Sequence, residues 1–313
     1  MVEIRDINLL NQKLSIIKST FKLADNRNKL LYITDFDYTI TRKYNDSTNG
    51  KFLNTYNIYN QDAFGGDQTL YLSQDKKLAE LYGKYEEDTS YDYEIRKEKS
   101  FKWYELSLLN MSNNQIKPES FKKMVELSKE HIKFRKDIKI LLEILIKKDI
   151  PILIISGGIK EIIIEILKKL KIEGFDNYLK QKRLIIIANS LLDENGKLIN
   201  WNDKEKKDDI IYPFNKNIII KKNLQKYFNG FESIIIVGDL ISDYKSIEEI
   251  EINKKQNVIG FGFLDYNLSK ISSDFNYKND GMFKEYANIF DVVLINDQGY
   301  EYIINIVKKI ISE

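Results

Sequence analysis

The stretch "YITDFDYTIT", residues 32–41, decides the fold. It ends a short apolar run (Leu30, Leu31, Tyr32, Ile33) on two aspartates two apart, Asp35 and Asp37, and the hydroxyl residues Thr39 and Thr41 follow. A continuous apolar run of this length is the pattern of a strand covered on both faces, as in a parallel sheet. In extended geometry residues two apart share a face. Both carboxyl groups would then project the same way from the end of a buried strand. Aspartates that merely end a strand in a turn give the same local pattern, so the rest of the chain must separate the two readings.

Upstream, residues 5–24 carry apolar side chains at helical spacing. From about residue 136 the pattern alternates. Helical "KDIKILLEILIKK" precedes strand-like "IPILIIS", and helical "IKEIIIEILKKLK" precedes "RLIIIAN". Further on, "SIIIVGD", "NVIGFGF" and "FDVVLIND" each read as buried strands among helical segments. Buried strands alternating with helices predict an α/β fold, a Rossmann-like parallel sheet with helices on both faces. Residues 45–135 break the alternation, with loop-like "NDSTNGKFLNTYN" and helical segments near 73–87, 92–110 and 117–131. They predict a helical cap inserted after the first core strand. The expected division is a catalytic core of residues 1–44 and 136–313 and a cap of 45–135. A second excursion, 189–215, contains the hairpin signal Asn195-Gly196 beside "NDKEKKDD" (202–209), which is expected to be a solvated loop.

Composition removes several kinds of chemistry. The 313 residues are 43% hydrophobic and 31% charged, enough for a sizeable core under a solvated surface. Net charge is +2 with no long basic block, so neither a nucleic-acid polymer nor a membrane surface is an expected partner. There is no cysteine, which excludes disulfides, thiolate zinc sites and cysteine nucleophiles. His131 is the only histidine, which argues against histidine triads and multi-histidine metal sites. Carboxylates, hydroxyls and lysines are left to do the work. "MVEIRDINLLNQK" has no secretory pattern and the apolar runs are too short to span a bilayer. A soluble cytoplasmic protein is expected, with a monomer favoured.

In open α/β sheets, ligands bind outside the carboxyl ends of the strands. Those ends are Asp35-Phe36-Asp37, Ser156-Gly157-Gly158, and Gly238-Asp239 with Asp243 close behind. Several carboxylates gathered at one rim need a counter-ion. Oxygen ligands without nitrogen or sulfur point to Mg²⁺. Bound Mg²⁺ attracts phosphate, and a serine hydroxyl followed by glycines lets backbone N–H groups approach an anion. Lys216, in "PFNK", is the candidate for balancing the remaining phosphate charge. On this reading Asp35 attacks phosphorus and Asp37 exchanges protons with the leaving oxygen and the attacking water. Asp239 holds the metal, Asp243 holds or orients that site, and Ser156 and Lys216 fix the phosphoryl group.

"DFDYTIT", "ISGG", "FNK" and "VGDLISD" resemble the four motifs of the haloacid dehalogenase-like phosphohydrolases. Together with "KYEEDT", "WYELSLLN", "LDENGKL" and "DVVLIND", in this order, they resemble the cytosolic 5′-nucleotidase III (pyrimidine 5′-nucleotidase) family over roughly residues 15–312. That resemblance implies Mg²⁺-dependent hydrolysis of nucleoside 5′-monophosphates, pyrimidine ones preferred, through an aspartyl phosphate. It makes Asp35 the nucleophile and Asp37 the acid/base. Ser156, Gly157 and Lys216 would bind phosphate, while Asp35, the Asp37 carbonyl and Asp239 would bind Mg²⁺ with Asp243 behind them. In the cap, Glu86 would face the base and Tyr104 stack on it. Two motifs depart from the family pattern. Ser156-Gly157-Gly158 stands where Ser-Ala-Gly is usual, and Leu240 and Ser242 alter the usual Gly-Asp-Ser-X-Gly-Asp loop. Residues 44–72 align poorly. Blander readings make Glu86 part of a solvated acidic helix end and one of Trp103 and Tyr104 a packing residue, leaving Tyr104 as the exposed ring. The rival functions are a phosphatase of the same kind acting on a small non-nucleotide phosphomonoester, and a catalytically silent nucleotide-binding protein.

Overall fold

The computed structural model describes residues 1–22, 29–45, 50–59, 69–88, 90–113, 120–227, 230–248, 257–268, 271, 274–296 and 299–312. Among them, seven strands form one sheet: β1 (Val2–Ile4), β2 (Leu30–Thr34), β3 (Ile152–Ile159), β4 (Leu184–Asn189), β5 (Ser233–Gly238), β6 (Val258–Leu264) and β7 (Val292–Ile295). Their spatial order is β1-β7-β6-β5-β2-β3-β4, and every neighbouring pair is parallel except β1 with β7. From β2 the chain moves through β3 to β4 at one edge, then restarts on the other side of β2 with β5. The strand order therefore reverses between β2 and β5, the place where α/β sheets open a crevice.

The unbroken apolar runs have their cause in two covered faces. β2, β3 and β5 are buried along their whole length. Leu30, Tyr32, Ile152, Ile154, Ile235 and Val237 pack into one apolar cluster, while Leu31, Ile33, Leu153, Ile155, Ile234 and Ile236 pack into another. Successive residues alternate between faces, as strand geometry requires.

The helices in chain order are α1 (Ile7–Lys22), α2 (Thr55–Tyr59), α3 (Thr69–Tyr82), α4 (Lys84–Glu87), α5 (Tyr93–Ser112), α6 (Ser120–Leu127) and α7 (Ile138–Lys147). They continue with α8 (Lys160–Lys169), α9 (Phe175–Lys180), α10 (Lys204–Lys207), α11 (Lys216–Tyr227), α12 (Ile241–Lys245), α13 (Gly281–Ile289) and α14 (Glu301–Ile311). Helices α2 to α6 follow the first core strand. Their stems run side by side, with an antiparallel bridge between Thr41 and Phe134 and a hydrogen bond from Arg42 N to Lys133 O of 2.8 Å.

Several elements differ from expectation. β1 is a three-residue edge strand, too short to show a period. α2 overlaps the end of the stretch 45–57 expected to be loop, of which 46–49 lies outside the described residues. The turn at Asn195-Gly196 has Gly196 at φ +74°, but the hairpin is one bridge, Leu192 with Leu198. The charged run 202–209 contains α10 rather than only a loop. His131 is exposed at the end of a 3₁₀ turn.

Candidate active site

Register brings the motifs to one rim. Thr34 of β2 pairs with Val237 of β5, and Asp35 N–H donates to Val237 O at 3.1 Å. Asp35 and Asp239 thus leave adjacent strands side by side. Thr34 also pairs with Ile154, which sets the Ser156 turn on the other flank.

Residues 36–41 form a tight turn in which Phe36 O accepts from the N–H groups of Thr39, Ile40 and Thr41. Tyr38 sits at φ +64°, an uncommon conformation for a residue with a Cβ. Buried Arg135 holds it there. Its guanidinium donates to Tyr38 O (2.7 Å) and Thr39 O (3.1 Å), pairs with Asp265 and lies 3.8 Å above the Phe263 ring. Tyr300 OH donates to Thr39 O as well, at 3.0 Å. The turn so held directs Thr39 Oγ1 to Asp239 Oδ1 at 3.1 Å. The hydroxyls after the two aspartates therefore serve the turn and the third carboxylate.

Lys216, 3% exposed, is the first residue of α11. Asn215 folds the preceding segment, accepting from Tyr212 N–H and donating to Ile210 O, and this turns the lysine inward. Lys216 Nζ donates to Asp35 Oδ1 at 2.6 Å and to Asp243 Oδ1 at 2.7 Å. Asp243 is held in turn by Leu240 N–H at 3.0 Å, so the altered loop still aims it. Ser242 Oγ is buried there with no hydrogen-bond partner among the described residues.

The charges are unbalanced. Two carboxylates, Asp35 and Asp243, pair with one ammonium, and a third, Asp239, acts on Asp35. Burial raises the Asp35 pKa well above the carboxylate range; Lys216 opposes this, and Asp243 and Asp239 add to it. Burial also works against the Lys216 charge, but the two carboxylates override it and its pKa lies above the ordinary lysine value. Asp37 is pushed up to about 6, first by burial, with the Thr55 hydrogen bonds opposing. A carboxyl group poised there suits proton exchange near neutral pH.

Ser156 Oγ accepts from Gly158 N–H at 3.0 Å, which leaves the hydroxyl proton to be donated. Gly157 O accepts from Asn189 Nδ2 at 2.6 Å, and Asn189 also bonds both backbone groups of Ile211. Above this turn, Tyr104 OH donates to Glu86 Oε1 at 2.9 Å. Glu86 and Tyr104 are both half-buried. The Tyr104 ring meets Tyr56 edge-on at 5.6 Å and lies 6.3 Å from Tyr212. Tyr104 is thus not an outward ring but one turned onto Gly157, while Trp103 lies against Gly83.

Three residues at the site escaped the sequence reading. Thr55 binds Asp37; its signal was Asn54 as a helix N-cap before "TYNIY", and Asn54 Oδ1 does accept from Asn57 N–H. Asn189 ends β4 at the same rim and was open to the strand-end argument. Arg135 carried no local signal.

A parallel sheet that delivers two aspartates, a serine–glycine turn, a lysine and two further aspartates to one crevice defines a haloacid dehalogenase-like phosphohydrolase. The chain belongs to the pyrimidine 5′-nucleotidase (UMPH-1) family, whose sequence profile matches residues 38–311. It is therefore an enzyme of the 5′-nucleotidase class, which hydrolyses phosphomonoesters. It is 23% identical over 317 aligned positions to 7-methylguanosine phosphate-specific 5′-nucleotidase A of Xenopus laevis, covering 100% of this chain and 96% of that one. It is 24% identical over 300 positions to the Mus musculus 7-methylguanosine phosphate-specific 5′-nucleotidase, covering 91% and 86%. In fold it is similar to a crystal structure of cytosolic 5′-nucleotidase IIIB bound to cytidine, with a TM-score of 0.78 at 18% identity, covering 99% of this chain and 93% of that one. Among the described residues no helix is long and apolar enough to cross a membrane.

Proposed function

We propose that the chain hydrolyses nucleoside 5′-monophosphates, pyrimidine ones preferred, through a phosphoaspartate at Asp35. The observation that carries this reading is the convergence on one buried rim of Asp35 with Lys216, of Asp37 with its own hydrogen-bonded support, and of the Glu86–Tyr104 pair over Gly157. An Asp35 oxygen attacks phosphorus and the bond to the nucleoside 5′-oxygen breaks. Asp37 gives that oxygen its proton. Asp37 then takes a proton from water, whose oxygen attacks the phosphoaspartate and frees Asp35. Lys216 Nζ, Ser156 O–H and Gly157 N–H neutralise and orient the phosphoryl oxygens. Glu86 and Tyr104 hold the base, and residues 45–135 act as the cap that carries them over the core.

A divalent cation fits the residues present. Three carboxylates and one ammonium leave two negative charges in excess, and the donors are all oxygen. Among the described residues no group of three acidic side chains makes a metal cage. Mg²⁺ does not need one, since it keeps several waters and takes few protein ligands. Asp35, Asp239 and the Asp37 carbonyl would hold it, with Asp243 steadying Lys216 beside them. When bound it supplies Lewis-acid stabilisation of the transferring phosphoryl group.

A second reading, 7-methylguanosine 5′-monophosphate as the preferred substrate, is favoured by the names of the similar curated enzymes. It is also favoured by the Glu86 carboxylate set among aromatic rings. A 7-methylated guanine is cationic and would be attracted by both.

Phosphate release from CMP, UMP, AMP, GMP, 7-methyl-GMP and phosphoserine, with Mg²⁺ or EDTA, tests both readings. Mg²⁺-dependent release led by CMP and UMP is expected, and Asp35→Asn should lower it by more than about a thousandfold. Release led by 7-methyl-GMP would favour the second reading. Release from phosphoserine alone would replace both with a non-nucleotide substrate.

A further inference from the structure

Helix α2 begins with Thr55, a fully buried residue that follows no core strand directly in the sequence. Its N–H donates to Asp37 Oδ1 at 3.0 Å and its Oγ1 donates to Asp37 Oδ2 at 2.7 Å. The same Oγ1 accepts from Ile159 N–H at 3.2 Å, which ties the pair to the end of β3. Both oxygens of one carboxyl group are therefore fixed by one residue, and that residue is anchored in the core.

Gly158 makes room for this arrangement. A Cβ there would lie 2.2 Å from Thr55 Oγ1 and 2.8 Å from Asp37 Oδ2. Its N–H is taken by Ser156 Oγ. The second glycine of the Ser156-Gly157-Gly158 turn thus serves the Thr55–Asp37 contact rather than offering a free donor to an anion.

We propose that Thr55, supplied by the insertion between the first and second core strands, is the positioning residue for Asp37 in proton transfer. The proposal rests on the phosphoaspartate reading above. Each carboxyl oxygen has a second lone-pair direction. Thr55 fixes the plane of the group and leaves the remaining positions to meet the substrate. As the Asp35 oxygen bonds to phosphorus and the phosphorus–oxygen bond of the substrate breaks, the proton passes from Asp37 to the departing oxygen. In the second half the attacking water returns a proton to Asp37. Positioned acid–base catalysis contributes about 10²–10⁴-fold. Loss of one of the two contacts that aim the carboxyl group should cost a large part of that.

Leaving-group dependence separates this role from a merely structural one. The nucleoside 5′-oxygen needs a proton to leave, whereas p-nitrophenyl phosphate releases a stabilised phenolate that does not. The ratio kcat/KM reports steps through phosphoryl transfer to Asp35, so the later hydrolysis does not blur the comparison. Thr55→Val keeps the shape and the backbone N–H and removes only the hydroxyl. It should lower kcat/KM for CMP by about 30- to 100-fold and for p-nitrophenyl phosphate by less than about 3-fold. Thr55→Ser should restore both substrates to within about 3-fold of wild type. Equal losses on the two substrates, or no loss on CMP, overturn the proposal. If Thr55→Val does not accumulate as folded protein, Thr55→Ala asks the same question, since it also removes the hydroxyl and keeps the backbone N–H that donates to Asp37 Oδ1. A loss selective for CMP supports the role and an equal loss removes it. A wild-type enzyme silent on both substrates and on 7-methyl-GMP would bring down the phosphoaspartate reading and this role together, whereas equal losses remove only the role of Thr55.

Discussion

A Cβ at Gly157 would stand 2.8 Å from Tyr104 Cε1 and 2.9 Å from its hydroxyl. The usual family alanine therefore has no room here, because this tyrosine leans on the turn. The departure from Ser-Ala-Gly and the identity of residue 104 are one packing solution. Gly157→Ala must push the Tyr104 ring off the turn and away from Glu86, breaking the 2.9 Å hydrogen bond. About 1–1.5 kcal/mol of base binding should go with it, a KM near tenfold higher for the preferred nucleotide. kcat should hold within about 3-fold, since the hydrogen bonds that hold Asp35 and Asp37 come from Lys216 and Thr55 and not from this ring. Steady-state kinetics on CMP and GMP check this, and an unchanged KM would mean that the tyrosine does not contact the base. That Asp35, Asp37, Ser156 and Asp239 share one rim was legible in the sequence because strand ends in such a sheet must meet, whereas Lys216 and Asp243 lie on helices and had only "PFNK" and "GDLISD" to mark them. The Tyr104–Gly157 contact was not legible, since it depends on how a helix far along the chain leans over the rim.

Among the elements, α5 and α10 show how the insertion is fastened. Buried Glu105 of α5 pairs with Lys102 on its own helix at 2.6 Å and with Lys207 of α10. Phe101 and Tyr212 meet beside it at 5.6 Å, on the segment leading to Lys216. Burial opposes ionisation of Glu105, yet the two lysines prevail and its pKa lies below the ordinary glutamate value of 4.5. A carboxylate depressed in the folded state contributes stability that is fully present above the unfolded pKa and is lost as pH falls through the folded one. Wild type should therefore melt above Glu105→Gln at pH 7. The gap should close as pH drops below about 4.5 and onward through the lower folded value. Thermal melts of both proteins between pH 7 and pH 3 check this, and a gap independent of pH would place the effect in packing instead. The core strands were legible because burial on both faces leaves an unbroken apolar signature. The run 202–209 was not, because the charge it answers lies about a hundred residues earlier. β1 is too short for any period, and α2, at five residues, has only its cap to announce it.

Across the whole molecule, the insertion is joined to the core by apolar packing as well as by its stems. Ile58 of α2, Leu108 and Met111 of α5, and Phe121, Met124 and Val125 of α6 belong to the same buried cluster as Leu30, Tyr32, Ile154 and Val237 of the sheet. The lower half of the insertion therefore buries its apolar face against the core and not only within itself. Elements that share one core lose it together. A single cooperative unfolding transition is expected, with calorimetric and van't Hoff enthalpies in agreement. Phosphate-releasing activity should disappear over the same urea range as helical circular dichroism. Two resolved transitions, or a helical loss that leaves the sheet folded, would show that the insertion is an independent unit. The functional consequence follows from where the contacts fall. Asp37 takes two hydrogen bonds from Thr55, and the hydrogen-bonded pair Glu86 and Tyr104 also comes from the insertion, while Asp35, Ser156, Lys216 and Asp239 come from the core. Because one apolar cluster spans both, the two halves of the site are held in register by the same burial that stabilises the fold.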